Sequence, residues 1–201
     1  MTDTPGYTAR TRAPDPGAPI ILALHGTGGD EHQFFDLVRQ INPGAGIVSP
    51  RGDVSEQGAA RFFRRTSEGV YDMDDLALRT GRMAEYVADV RAAHPGVSLY
   101  GFGYSNGANI LASVVMARPD LFDRVGLLHP LIPWDPVPVA LSGRRVLISA
   151  GRRDPICPWP RTERLVAWFA AQGAGVETSV HDGGHEMRQG EIAALAGLLT
   201  G

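Results

Sequence analysis

Three side chains in this sequence could together make a reactive alcohol: Ser105, Asp154 and His185, met in that order. Ser105 stands in Gly103–Tyr104–Ser105–Asn106–Gly107. An apolar run leads into this stretch and a run of helix formers leaves it, so the serine is read on a sharp strand-to-helix turn with its hydroxyl exposed. Two positions to either side, strand and helix almost touch and only a tiny residue fits; both positions are glycine. A serine hydroxyl is a poor nucleophile at neutral pH and needs a base, with a third group to orient that base. His185 is read as the base, because it follows the last predicted strand and the Gly183–Gly184 pair lets its loop swing over the sheet edge. Asp154, just after the preceding strand, is read as the acid that fixes the imidazole tautomer and stabilises the imidazolium. Asp182 is a weaker substitute, since it lies beside His185 in sequence rather than across a cleft. The developing oxyanion needs two donors. The backbone N–H of Asn106 is one, and that of Thr27, in His25–Gly26–Thr27–Gly28, is the other.

Other reactive-looking residues are given plainer roles. His25 is expected to pack or hydrogen-bond beneath the oxyanion loop, and His129 to support or pack behind the site. His181 and His185 are four apart, but the intervening glycines remove the shared helical face that a zinc pair would need. Glu68, Asp72, Asp74 and Asp75 lack the register of a calcium loop, and Asp74 and Asp75 suit a helix N-terminus. No metal and no cofactor are expected. Phe62 and Phe63 stand equally as core and as walls of a substrate pocket, and Leu131, Ile132 and Trp134 are similar candidates. Arg61 and Arg64 could meet an anionic substrate; pairing with Glu68 and Asp72 is the simpler reading. Cys157 reads as an inert apolar residue near the site.

The elements that must position these groups alternate. The apolar run Ile20–Leu24 reads as a central parallel strand, followed by a glycine-rich loop and a helix near Glu31–Ile41 with Asp30 as N-cap. Strands are expected at Gly46–Ser49, Val97–Gly103, Val125–Leu128, Arg145–Ala150 and Val176–Val180. Helices are expected at Asp74–Ala93, Ser105–Arg118, Arg161–Gln172 and Met187–Leu199. Pro50 to Met73 reads as a long loop covering the site. Strand–helix alternation implies a mostly parallel sheet with helices on both faces, and ligands then bind at the carboxyl ends of the strands. Every candidate above lies at such an end. The short span from Leu128 to Arg145 leaves no room for a large cap domain.

Composition sets the outer limits. The chain has 201 residues, 43% of them apolar, which suits one α/β domain over 1–201 with residues 1–19 as an N-terminal segment carrying a short edge strand at Tyr7–Arg12. No apolar stretch approaches a membrane span, and Met1–Gly6 lacks the features of a secretory signal, so a cytoplasmic location is expected. With a net charge of −3, nothing marks a nucleic-acid or membrane partner. All 19 basic residues are arginine, which excludes lysine Schiff-base chemistry. Cys157 is the sole cysteine, so no internal disulfide forms.

Leu24–Gly29, Gly103–Gly107, Asp154–Pro158 and Gly184–Glu186 together resemble the α/β-hydrolase superfamily. More narrowly, the chain is similar to the phospholipase/carboxylesterase group and its small bacterial relatives, which include hydrolases linked to quinone resistance. Ser49–Gly52, Arg61–Arg64 and Leu128–Pro133 add to that likeness, which runs from Ile20 almost to the end. The resemblance implies an α/β-hydrolase fold, a Ser105–His185–Asp154 triad with Thr27 and Asn106 as oxyanion donors, and cofactor-free hydrolysis of carboxylic esters or thioesters. Better-known acyl-protein thioesterases often carry Gln where this chain has Asn106; the backbone donor survives that change, but the inference to a long-chain acyl substrate does not. The partner is therefore a small-molecule ester, with a homodimer left open. The alternatives are a dienelactone-type lactone hydrolase, against which Ser105 in place of cysteine argues, and an inactive ligand-binding protein of the same fold, against which the intact triad argues.

Overall fold

A computed structural model describes residues 6–201; residues 1–5, on which the reading of the leader partly rests, lie outside it. β1 (Ala9–Arg12) is a short edge strand. β2 (Ile20–Leu24) and β3 (Gly46–Pro50) are buried along their whole length, with α1 (Phe35–Ile41) between them in sequence. Two small hairpins follow, β4 (Val54–Glu56) with β5 (Ala59–Arg61), and β6 (Arg65–Ser67) with β7 (Val70–Tyr71). The chain continues through α2 (Met73–Ala93), β8 (Leu99–Tyr104), α3 (Asn106–Ala117), β9 (Arg124–Leu128), β10 (Arg145–Gly151), α4 (Trp159–Ala171), β11 (Gly175–His181) and α5 (Gln189–Thr200).

The main sheet has seven strands in the order β1-β3-β2-β8-β9-β10-β11, and only β1 runs antiparallel to its neighbour. Side chains alternate across it, as the pleat requires. Ile20, Leu22 and Leu24 face a core shared with Met83 and Val87 of α2, Ile110 and Leu111 of α3, and Leu165 and Phe169 of α4. Ile21 and Ala23 face the other side, against Phe35 and Val38 of α1 and Leu195, Leu198 and Leu199 of α5. Burial of both faces explains the unbroken apolar run of β2.

Strand register positions the site. Leu24 pairs with Gly103, Tyr104 with Leu128, Leu128 with Ser149, and Gly151 with His181. The strands therefore end almost level, and the loops carrying Thr27, Ser105, His129, Asp154 and His185 leave the sheet along one rim. No cap is inserted between β9 and β10. Among the described residues no helix is long and apolar enough to cross a membrane.

Two expectations need correction. The stretch from Pro50 to Met73 is not an unstructured loop. Gln57 and Gly58 both adopt positive φ, 52° and 89°, the pair that a tight hairpin turn demands, and Gly69 (φ 72°) serves the second hairpin. Strands of two and three residues leave no periodicity to read. Asp30 does not cap a helix that begins at Glu31; its Oδ1 accepts from His32 N at 2.8 Å and closes a turn, and α1 starts at Phe35 without a side-chain cap.

Candidate active site

Ser105 sits between β8 and α3 with φ 52° and ψ −115°, a conformation that costs a non-glycine residue energy. The surroundings enforce it. A Cβ at Gly103 would collide with the backbone of Gly107, and one at Gly107 with the carbonyls of Leu24 and His25. Ser105 N donates to Leu128 O at 2.9 Å, which ties the elbow to β9.

His185 Nε2 lies 2.9 Å from Ser105 Oγ, and His185 Nδ1 lies 2.7 Å from Asp154 Oδ2. The acceptor carboxylate fixes the proton on Nδ1 and leaves Nε2 free to accept from the serine. Asp154 is wholly buried, and its Oδ1 accepts the N–H groups of Ile156 and Cys157 at 2.8 and 2.9 Å. Burial alone would raise its pKa, but hydrogen bonds from His129, His185 and the Cys157 N–H outweigh that and hold the carboxyl well below its ordinary range. The loop bearing His185 is fastened by Tyr104, whose hydroxyl donates to His185 O at 2.6 Å. Burial first, and then the charge of Asp154, push that phenol up to about 12.

The two expected oxyanion donors also meet here. Asn106 is the first residue of α3, so its N–H has no carbonyl one turn back to bind. Thr27 is exposed on the turn after β2. Three consecutive residues at and just past the end of the first hairpin grip both: Ala60 O accepts Gly28 N at 2.9 Å, Arg61 Nη1 donates to Thr27 Oγ1 at 2.7 Å, and Phe62 N donates to Asn106 Oδ1 at 2.8 Å. His25 lies beneath, donating from Nδ1 to Gly26 O at 2.7 Å and accepting Gly52 N on Nε2 at 2.8 Å, in the structural role expected of it. Burial lowers its pKa.

The residues proposed for the pocket do not stay together. Phe62 and Phe63 are both 0% exposed: Phe62 packs on His25 at 4.6 Å and Phe63 edge-on to Tyr71 at 4.8 Å, so both belong to the core. Ile132 and Trp134 line a separate groove against α4. Leu131 does line the recess beside Ser105, a space of about 20 Å³ whose walls include Arg61, Arg65, Tyr71 and Asn109. A far larger groove, about 970 Å³, lies beside Arg10, Arg12 and Arg39 and holds none of the triad; it is an open surface trough without the chemistry. The arginines pair with acids, but not those expected. Arg61 contacts Glu56 at 3.4 Å, Arg64 contacts Asp75 at 3.3 Å, and Glu68 goes to Arg65. Cys157 is buried, with its thiol pushed up by burial and then by the charge of Asp154.

Sequence reasoning missed Glu191. It lies in the first turn of α5, 1% exposed, with Oε1 2.9 Å from His129 Nε2 and Oε2 3.1 Å from His181 Nε2. An acid in a first helical turn is common enough to pass as a helix-dipole partner. Its one sequence signal is its place three residues after Arg188, whose N–H it accepts at 2.7 Å.

A mostly parallel sheet with this elbow and rim defines a carboxylesterase-like hydrolase of the α/β-hydrolase fold, and the chain belongs to that family. It is 38% identical over 175 residues to "Putative hydrolase MhqD" of Bacillus subtilis (strain 168), covering 86% of this chain and 88% of that protein. The crystal structure of a Bacillus cereus carboxylesterase is 32% identical, with a TM-score of 0.91 over 96% of this chain and 93% of that one. The protein Atu2452 of unknown function from Agrobacterium tumefaciens str. C58 is 54% identical, with a TM-score of 0.92 over 96% and 95% of the two chains. No protein-family profile matches the chain. These relatives make it an esterase-type hydrolase.

Proposed function

We propose that residues 1–201 act as one catalytic domain that hydrolyses small carboxylic esters through a serine acyl-enzyme, with Ser105 as nucleophile, His185 as base and Asp154 as its orienting acid. The unbroken hydrogen-bonded line from Ser105 Oγ through His185 to Asp154 carries the reading. Ser105 Oγ attacks the carbonyl carbon while His185 Nε2 takes its proton. The N–H groups of Thr27 and Asn106 hold the negative oxygen of the tetrahedral intermediate. That intermediate collapses, the C–O bond to the alcohol breaks, and His185 returns its proton to the leaving oxygen. Water then attacks the acyl-serine with His185 again as base, releasing the acid and free Ser105.

The small, largely polar recess beside Ser105 supports short acyl groups over long ones. A thioester would meet the same machinery, since only the leaving atom differs. The test is a series of p-nitrophenyl esters of rising chain length, run beside thioesters and simple lactones, with fluorophosphonate labelling of the wild type and of Ser105→Ala. Labelling confined to the wild type, with turnover highest for acetate and butyrate, is expected. Labelling that persists in Ser105→Ala, or turnover of long chains alone, would overturn the reading.

A further inference from the structure

Asp154 Oδ2 serves two imidazoles: His185 Nδ1 at 2.7 Å and His129 Nδ1 at 2.8 Å. The other nitrogen of His129 faces Glu191 Oε1 at 2.9 Å, an ion-pair contact rather than an aligned hydrogen bond. All three side chains of this second line, His129, Asp154 and Glu191, are at most 1% exposed. We propose that His129 is a positioning residue: a standing imidazolium, held between Asp154 and Glu191, that offsets part of the Asp154 charge that His185 meets. The inference rests on the triad reading above.

Both nitrogens of His129 look at carboxylate oxygens, which only accept. A bare nitrogen lone pair on either side would face an oxygen at under 3 Å, so a proton on each is the favourable state. The charge balance agrees. Two buried carboxylates without a cation are costly. With His129 charged, the pair carries one net negative charge, which protonated His185 cancels in the transition state. With His129 neutral, two buried negative charges would stand behind His185 with no cation to offset them.

The neighbours leave this role to His129. The rings of Tyr104 and His185 lie edge-on to it at 5.9 and 5.2 Å, and that of His181 is tilted to it at 5.5 Å. The Tyr104 hydroxyl and the Cys157 thiol, whose Sγ reaches His129 O at 3.2 Å, are both shifted upwards and uncharged at neutral pH. His181 Nδ1 accepts Gly183 N at 2.9 Å, so its proton sits on Nε2 toward Glu191, where a metal would need a lone pair. Burial by itself would strip His129 of its proton, but Asp154 and Glu191 outweigh it and raise the pKa to about 9. The backbone is also bent to the purpose: His129 has φ 51°, a strained value for a residue with a side chain, and is secured by His129 N donating to Ser149 O at 3.1 Å.

Nitrogen-15 NMR of the histidine rings in the wild-type protein reads the charge directly. His129 is expected to carry protons on both nitrogens from about pH 6 to about pH 8; a neutral ring at pH 7 overturns the proposal. The kinetic arm uses His129→Gln, which keeps an N–H to offer Asp154 but no charge. Its acid limb of kcat/KM is expected about one pH unit higher than in the wild type. A merely structural role would lower melting temperature or kcat and leave the limb in place, and that result counts against the proposal. Should His129→Gln not fold, Glu191→Gln read by the same NMR replaces it, with His129 now expected to titrate below about pH 8; an unmoved ring overturns the counter-ion role. Because the NMR arm needs no turnover, activity surviving in Ser105→Ala would sink the triad reading while leaving the His129 result to stand or fall separately.

Discussion

Arg61 reaches out of the core, where its side chain is 3% exposed, to donate to the hydroxyl of Thr27 at the mouth of the site, 2.7 Å away. The bond runs to the side chain, while the catalytic donor proposed for Thr27 is its backbone N–H. Arg61 therefore fixes the turn rather than the substrate. Arg61→Met is expected to lower kcat about 10- to 100-fold with little change in KM, somewhat less than outright loss of an oxyanion donor. Thr27→Val should fall the same way, and the double variant should be no worse than the poorer single one, because the Arg61–Thr27 bond is lost in each. Steady-state kinetics on a short p-nitrophenyl ester checks this; additive losses would separate the two residues.

The elbow holds Ser105 in a conformation that glycine adopts freely. Ser105→Gly should thus abolish turnover and raise stability by about 1 kcal/mol relative to Ser105→Ala, as strain at φ 52° is released. Urea unfolding of the two variants makes the comparison. Equal midpoints would mean that the turn stores no strain.

Asn106, whose backbone N–H is the proposed second oxyanion donor, accepts Phe62 N on its side-chain oxygen at 2.8 Å in a buried setting. Asn106→Ala keeps the first and deletes the second. Leaving that N–H without a partner is expected to cost about 1–3 kcal/mol of stability, with a fall in kcat well short of that in Ser105→Ala. Thermal unfolding and kinetics on the same preparation distinguish the two contributions.

His129 also links stability to pH. Its pKa is raised when folded, from the ordinary value of about 6.5 to about 9. The stabilisation is therefore fully present below about pH 6.5 and is lost as pH rises through about 9. Asp154 has the opposite sign: its folded pKa is depressed, so its contribution is present above about pH 4 and lost as the solution is acidified further. Urea unfolding at about pH 6 and about pH 9.5 should show a wild-type decline, on the order of a few kcal/mol, that His129→Gln lacks. A parallel decline in both proteins would assign it elsewhere.

The elbow was legible in sequence because its demands are local. Two glycines, a serine, a strand before and a helix after are all within a dozen residues. The mostly parallel sheet, and the placing of the candidate loops at the carboxyl ends of its strands, followed from strand–helix alternation; the strand order and register did not. The pocket walls did not: Phe62 and Phe63 lie on a segment whose hairpins are too short to show periodicity, and nothing in the pattern said that the chain would turn them inward. The arginine partners were also misjudged, since proximity in sequence pointed Arg61 and Arg64 to Glu68 and Asp72, while the hairpin pairing brings Glu56 to Arg61 and the start of α2 brings Asp75 to Arg64. Glu191 was hidden for a different reason. It is set against His129, more than sixty residues earlier, and a contact between a loop and a helix start so far apart in the chain leaves no mark on either stretch.

Tyr104 directly precedes Ser105, and its hydroxyl donates to the carbonyl of His185. Alcohol and imidazole thus share one anchorage, although eighty residues of chain divide them. On the proposed mechanism, a shift of either loop is expected to carry Ser105 Oγ and His185 Nε2 together, so that the gap between them stays near its resting 2.9 Å.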